Sequence, residues 1–98
     1  MYVKIHDAYR IIVAVADNDL IGKKFEEGIR QIAVRENFFK GEEKNRDEVI
    51  EILQDMQRED ATFNIVGKES VAAALEAGVI KPSGVFTIDG IPVALVLM

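Results

Sequence analysis

Cysteine is absent from the chain, which excludes disulfides, thiolate zinc sites and a cysteine nucleophile together. Histidine occurs once, as His6, and one imidazole cannot furnish a structural zinc site. A serine–histidine pair would have to recruit Ser70 or Ser83, and neither stands in a G-x-S-x-G elbow. Long apolar runs are missing too. The longest, IIVAVA and VALVLM, fall far short of the roughly 20 residues that cross a bilayer. The opening MYVKIHDAYR has no apolar run behind a positive charge, so a signal peptide is not expected. No repeat or low-complexity segment is present. These absences point to a cytoplasmic protein with no membrane association, no metal, no cofactor and no assignable catalytic residue.

What is there suffices for one domain. The chain has 98 residues, 49% of them apolar. Folding at this length buries roughly 60–70% of the unfolded surface, so residues 1–98 are read as a single compact α/β domain. The net charge is −5, unevenly spread. Residues 41–60 hold eight acids against three bases, whereas residues 1–40 hold seven bases against six acids. A binder of phosphate backbones wants a clustered basic face. Only Lys23 to Lys40 approaches one, with five bases, three acids, Phe38 and Phe39.

Tyr2 to His6 alternates in polarity and reads as a strand with one wetter side. Arg10 to Ala16 is a β-branched and small apolar run, predicting a strand buried on both faces, and Asp17-Asn18-Asp19 ends it with turn chemistry. Between Leu20 and Val34 a helical stripe competes with two glycines that disfavour helix. The preferred reading is a loop turning at Gly28, then a strand from about Ile29 to Arg35. Val49, Ile52, Leu53 and Met56 lie on one helical face, so a helix is predicted from Asp47 to Arg58 or Glu59, capped by Asp47 or Asn45. Its acids (Glu48, Glu51, Asp55, Glu59) face solvent.

Ala61 to Ile80 reads as a buried strand, a pivot at Gly67, a short helix to Ala77 and a stop at Gly78. Val85–Ile88 and Ile91–Met98 flank Asp89-Gly90, a strong hairpin signal. VALVLM is either internal to the sheet or an edge that meets a second copy. The predicted order is β-β-β-α-β-α-β-β: a mixed sheet of about six strands with two helices packed on it.

Three patterns bear on chemistry. Asp17 to Gly22 begins like a calcium loop, but Ile21 and Gly28 occupy positions that need ligands. Gly67-Lys68-Glu69-Ser70 ends like a phosphate loop, but Thr62 stands where the upstream glycine belongs. A weaker anion or ligand site at that helix start would use Asn64, Gly67, Lys68 and Ser70, with His6 nearby. The simpler reading is that Glu69 or Ser70 caps the helix. Surface binding would use Lys23, Lys24, Arg30, Arg35, Phe38 and Phe39, the aromatics either stacking on a partner or tucking inward.

LIGKKFEEG (residues 20–28), Val34 with FFKGE (38–42), ATFNIVG (61–67), SVAAALEAGVI (70–80) and IDGIPVALVL (88–97) follow in an order and spacing that resemble a small archaeal family. That family is known as domain of unknown function number four-two-four, and the resemblance covers nearly the whole chain. Phe39 stands where the family is expected to carry tyrosine, which counts against a hydroxyl-dependent role there. The resemblance implies an archaeal, cytoplasmic protein and supplies no activity, ligand or catalytic residue. Three functions are compatible with these residues. The first is a non-enzymatic binding or protein-interaction module, with a homodimer among its forms. The second is a small-anion or ligand site around Gly67, and the third RNA or ribonucleoprotein association through the basic stretch.

Overall fold

The computed structural model describes residues 1–97. Its organising feature is a hairpin joined to a parallel strand. β1 (Tyr2–Asp7) and β2 (Ile11–Ala16) pair antiparallel from Tyr2↔Ala16 to Asp7↔Ile11. β2 then runs parallel to β6 (Thr62–Val66), with Ile12 opposite Thr62 and Ala16 opposite Val66. β8 (Ile91–Val96) lies antiparallel to β6, and β7 (Phe86–Ile88) antiparallel to β8. The two-residue β5 (Glu42–Glu43) extends the other side, giving the order β5-β1-β2-β6-β8-β7. The sheet is mixed and six-stranded as the sequence predicts, with β5 as its sixth member in place of the strand predicted from Ile29. β7 covers β8 from Ile91 to Val93, so of VALVLM only Val93 is internal, and beyond it the outer side carries no strand among the described residues.

Between β2 and β6 the chain differs from expectation. Two strands, β3 (Lys24–Glu27) and β4 (Arg30–Ala33), form a separate hairpin. Gly28 supplies the positive φ of 62° at its tip, a conformation that glycine adopts without a steric cost. The predicted strand from Ile29 is β4, but the stretch before it is β3 and not a loop. Residues 36–39 make one turn of helix, α1 (Glu36–Phe39), with Phe39 inward. The α/β expectation therefore stands, enlarged by a small second layer.

Two longer helices, α2 (Arg46–Arg58) and α3 (Lys68–Ala77), cover one face of the sheet. Val49, Leu53, Val71 and Ala74 meet Val13, Val15, Phe63 and Ile65 there. α1 and the β3–β4 hairpin cover part of the opposite face, over Ala14, Ala16, Val66 and Val93. Alternation along each strand sends side chains to the two layers in turn.

α2 starts at Asn45, whose side chain accepts from the Glu48 amide at 2.9 Å while Glu48 accepts from the Asn45 amide at 3.0 Å. Of the two caps predicted, Asn45 is the one used. Asn45→Ala removes half of this reciprocal box and is expected to cost about 1 kcal/mol. The urea midpoint should fall without a change in slope. α3 ends at Gly78 in the left-handed region, its amide directed at the carbonyls of Ala74 and Leu75.

Candidate functional site

The first place to look is the start of α3, where β2 and β6 end side by side. Gly67 enters the helix with φ 115° and ψ 156°, a region essentially reserved for glycine. Its amide donates to the Pro92 carbonyl at 2.9 Å. The helix start is occupied by the chain's own carboxylate. Asp17, at the end of β2, accepts from the Glu69 amide at 3.1 Å, the Ser70 amide at 2.8 Å and the Ser70 hydroxyl at 2.7 Å. Asp17 is 7% exposed and Ser70 fully buried. The anion expected here is thus internal, and the cap is neither Glu69 nor Ser70 but a residue more than fifty positions upstream. Those amides are already engaged, so they offer an outside anion no cradle.

The remaining predicted residues of this group lie apart. Lys68 is exposed on a groove of about 540 Å³ with Lys44, Asn45, Arg46 and Glu69. Its cations are partly neutralised. Lys44 pairs with Glu42 at 3.1 Å, and Arg46 with Glu76. The hydrogen bond that Lys44 donates to Glu42, and then that carboxylate's charge, raise the Lys44 pKa above the ordinary lysine value. Asn64 points to the other face of the sheet, in a row Lys4–Ala14–Asn64–Leu95 set by the strand register. It is half-buried, and its side chain makes no hydrogen bond among the described residues. His6 is tied to α1, with Nε2 2.9 Å from the Phe38 carbonyl oxygen and its ring stacked on Phe38 at 4.6 Å. The structure does not bring His6 to Gly67.

The basic stretch is divided as well. Lys23 and Arg35 flank the base of the β3–β4 hairpin, and Lys24 pairs with Glu26 at 3.1 Å. Arg30 sits three residues further along the ladder, about 10 Å away at strand rise. Phe39 is only 3% exposed and packs in the second core, while Phe38 is half-buried against His6. Neither ring lies open as a stacking platform beside the cations.

A different surface has the marks of a site. Ile29, Arg30, Gln31 and Ile32 of the hairpin face Phe86, Ile88, Val93 and Leu95 of the sheet across an apolar groove of about 430 Å³. Ile29 is fully exposed at 102%, Leu97 is 82% exposed and Leu95 49%. The groove lies along the part of β8 that β7 leaves uncovered. Backbone direction follows from the Gly67–Pro92 bond: Pro92 turns toward β6, so by antiparallel alternation Leu95 turns its N–H and C=O away from β6. Among the described residues the outward backbone of Leu95 has no strand beside it. Arg30 stands at the rim, its guanidinium 5.2 Å from the centre of the Phe86 ring. It has no ion pair or hydrogen bond among the described residues. The exposed apolar strand end was legible in VALVLM, but its junction with Ile29, Arg30 and Phe86 is a product of the hairpin.

Among the described residues no three histidine, aspartate or glutamate side chains gather as a metal-binding group, and no helix is long and apolar enough to cross a membrane.

No curated protein matches this chain. Its fold is similar to the crystal structure of an uncharacterized conserved protein from Methanopyrus kandleri, with a TM-score of 0.85, over 99% of this chain and 92% of that one, at 18% identity. A family profile matches residues 5–98, nearly the entire length. The chain belongs to the family described as protein of unknown function (DUF424).

Proposed function

We propose that this protein is a cytoplasmic, non-enzymatic interaction module that takes an extended segment of a protein partner against the free side of β8. The observation that carries this reading is the outward, strandless backbone at Leu95, next to an apolar groove. Unpaired strand edges bind further strands through main-chain hydrogen bonds, and neighbouring pockets select alternate side chains. Exposed apolar side chains clustered at such an edge mark association surfaces. The chain's lack of cysteine and its archaeal family resemblance support the cytoplasmic setting. Catalysis and a free anion site draw less support, since the α3 start is filled by Asp17. Nucleic-acid binding draws less too, because Phe39 is buried and Lys24 paired.

Random peptides selected on the immobilised protein are expected to shift the amide resonances of Leu95, Leu97, Phe86 and Ile29. Leu95→Glu should weaken those peptides about tenfold or more by placing a charge in the apolar contact. Its melting temperature should stay within about 3 °C of wild type, because the side chain is half in water. Shifts confined to the α2–α3 layer would sink the reading.

A further inference from the structure

We infer that the segment docked on β8 is the C-terminal tail of a partner protein, extended and apolar, with its terminal carboxylate received by Arg30. This rests on the strand-docking reading above and adds the direction and the end-group chemistry of the partner.

Direction follows from the sheet. β7 runs antiparallel to β8, with Phe86 opposite Val93 and Ile88 opposite Ile91. A strand added beyond Val93 therefore lies in line with β7, on the side where the chain enters it through the extended Val85. If it runs antiparallel to β8, the favoured sense for a short edge addition, its C-terminal end points at Val85 and Phe86. An internal segment would have to turn away at this point, whereas a chain terminus can stop there. The opposite sense would bring an N-terminal ammonium against Arg30, a like-charge contact.

Charge selects the same end. Among the described residues Arg30 is the charged residue in the groove lining, and no carboxylate lines it. Its guanidinium is held over the Phe86 ring, yet none of its donors meets an acid or a carbonyl among the described residues. Lys24, Lys40, Lys44, Arg46 and Arg58 each have a carboxylate partner, whereas Arg30, like Lys23, Arg35 and Lys68, has none among the described residues. A planar donor fork at the rim of an apolar groove, beside the Phe86 ring, fits a carboxylate in two-point contact. The surrounding layer agrees. Residues 21–40 carry five bases against three acids, whereas α2 on the opposite face carries two bases against four acids.

The test compares two displayed libraries of random heptapeptides, one ending in a free carboxylate and one extended by a fixed Gly-Ser-Gly tail. Enrichment on the wild-type protein is expected from the free-end library only. For a recovered peptide synthesised both ways, amidation of its C-terminus should weaken binding about tenfold or more, the scale of a lost charge-assisted contact. Arg30→Gln should weaken the free acid by a similar factor and leave the amide unchanged, with unaltered melting temperature. Equal enrichment of both libraries at Leu95 would overturn the carboxylate assignment while leaving the strand-docking reading intact. Failure of both libraries would overturn both. A concentration-dependent dimer in light scattering, dispersed by Leu95→Glu, would replace the tail with a second copy. Free-acid binding indifferent to Arg30→Gln would remove Arg30 from the site.

Discussion

Gly67→Ala is expected to destabilise the protein by about 3–5 kcal/mol, lowering the melting temperature by about 20 °C or more. Two separate costs meet at this residue. The first is conformational. With φ 115° and ψ 156°, a residue bearing a Cβ is strained by about 1–3 kcal/mol. The second is steric and falls on the cap. A Cβ built at Gly67 would lie 2.6 Å from each carboxylate oxygen of Asp17, so the carboxylate must move. Any such movement lengthens its bonds to Glu69 and Ser70. Since the whole fold is held by only about 5–15 kcal/mol, the variant should be partly unfolded at moderate temperature. Thermal unfolding followed by circular dichroism measures it. A loss below about 1 kcal/mol would show that the turn relaxes freely and that Gly67 is not a fixed pivot.

The sequence made the α2 helix plain because its information is local. Val49, Ile52, Leu53 and Met56 repeat at helical spacing, and Asn45 caps from three residues away. The strand–glycine–helix unit from Thr62 to Gly78 and the Asp89-Gly90 hairpin were legible for the same reason. The β3–β4 hairpin was obscured by its own apolar residues. Phe25 and Ile32 pair across the ladder, yet with Leu20, Ile21 and Ile29 they also fit a helical stripe. Asp17 lay beyond local reading altogether. Its role depends on β2 and β6 being parallel and in register, which brings residues 52 and 53 positions apart into contact. Read locally, Asp17-Asn18-Asp19 is only a turn. The β8 edge falls between these cases. Its apolar character is local, while its exposure depends on how far the three-residue β7 extends beside it. Phe38 and Phe39 show the limit of composition: of two adjacent rings, one is buried and the other half-buried and stacked on His6.

Removing the carboxylate itself should be nearly as damaging as crowding it. Asp17→Ala leaves the Ser70 hydroxyl, the Ser70 amide and the Glu69 amide without their acceptor, and Ser70 is fully buried. Buried donors left unsatisfied cost about 1–3 kcal/mol each, less where water can enter, so a loss of about 3–4 kcal/mol is expected. Asp17→Asn keeps one acceptor oxygen and loses the charge that favours a helix N-terminus; about 2 kcal/mol is expected for it. Ser70→Ala forfeits the hydroxyl bond alone, about 1 kcal/mol. The order of these three losses, read from urea unfolding, tests whether Asp17 is an internal anion or a spacer that merely packs. A spacer would make Asp17→Asn silent. The double variant Asp17→Ala/Gly67→Ala separates the two terms in the glycine's cost. With the carboxylate gone the added Cβ has room, so the double variant should be less destabilised than the sum by more than about 1 kcal/mol. Formate supplies the sharpest discriminator. If the α3 start is an anion site filled from within, formate should restabilise Asp17→Ala beyond its effect on wild type, whereas strict additivity and no formate response would reduce Asp17 to a packing residue.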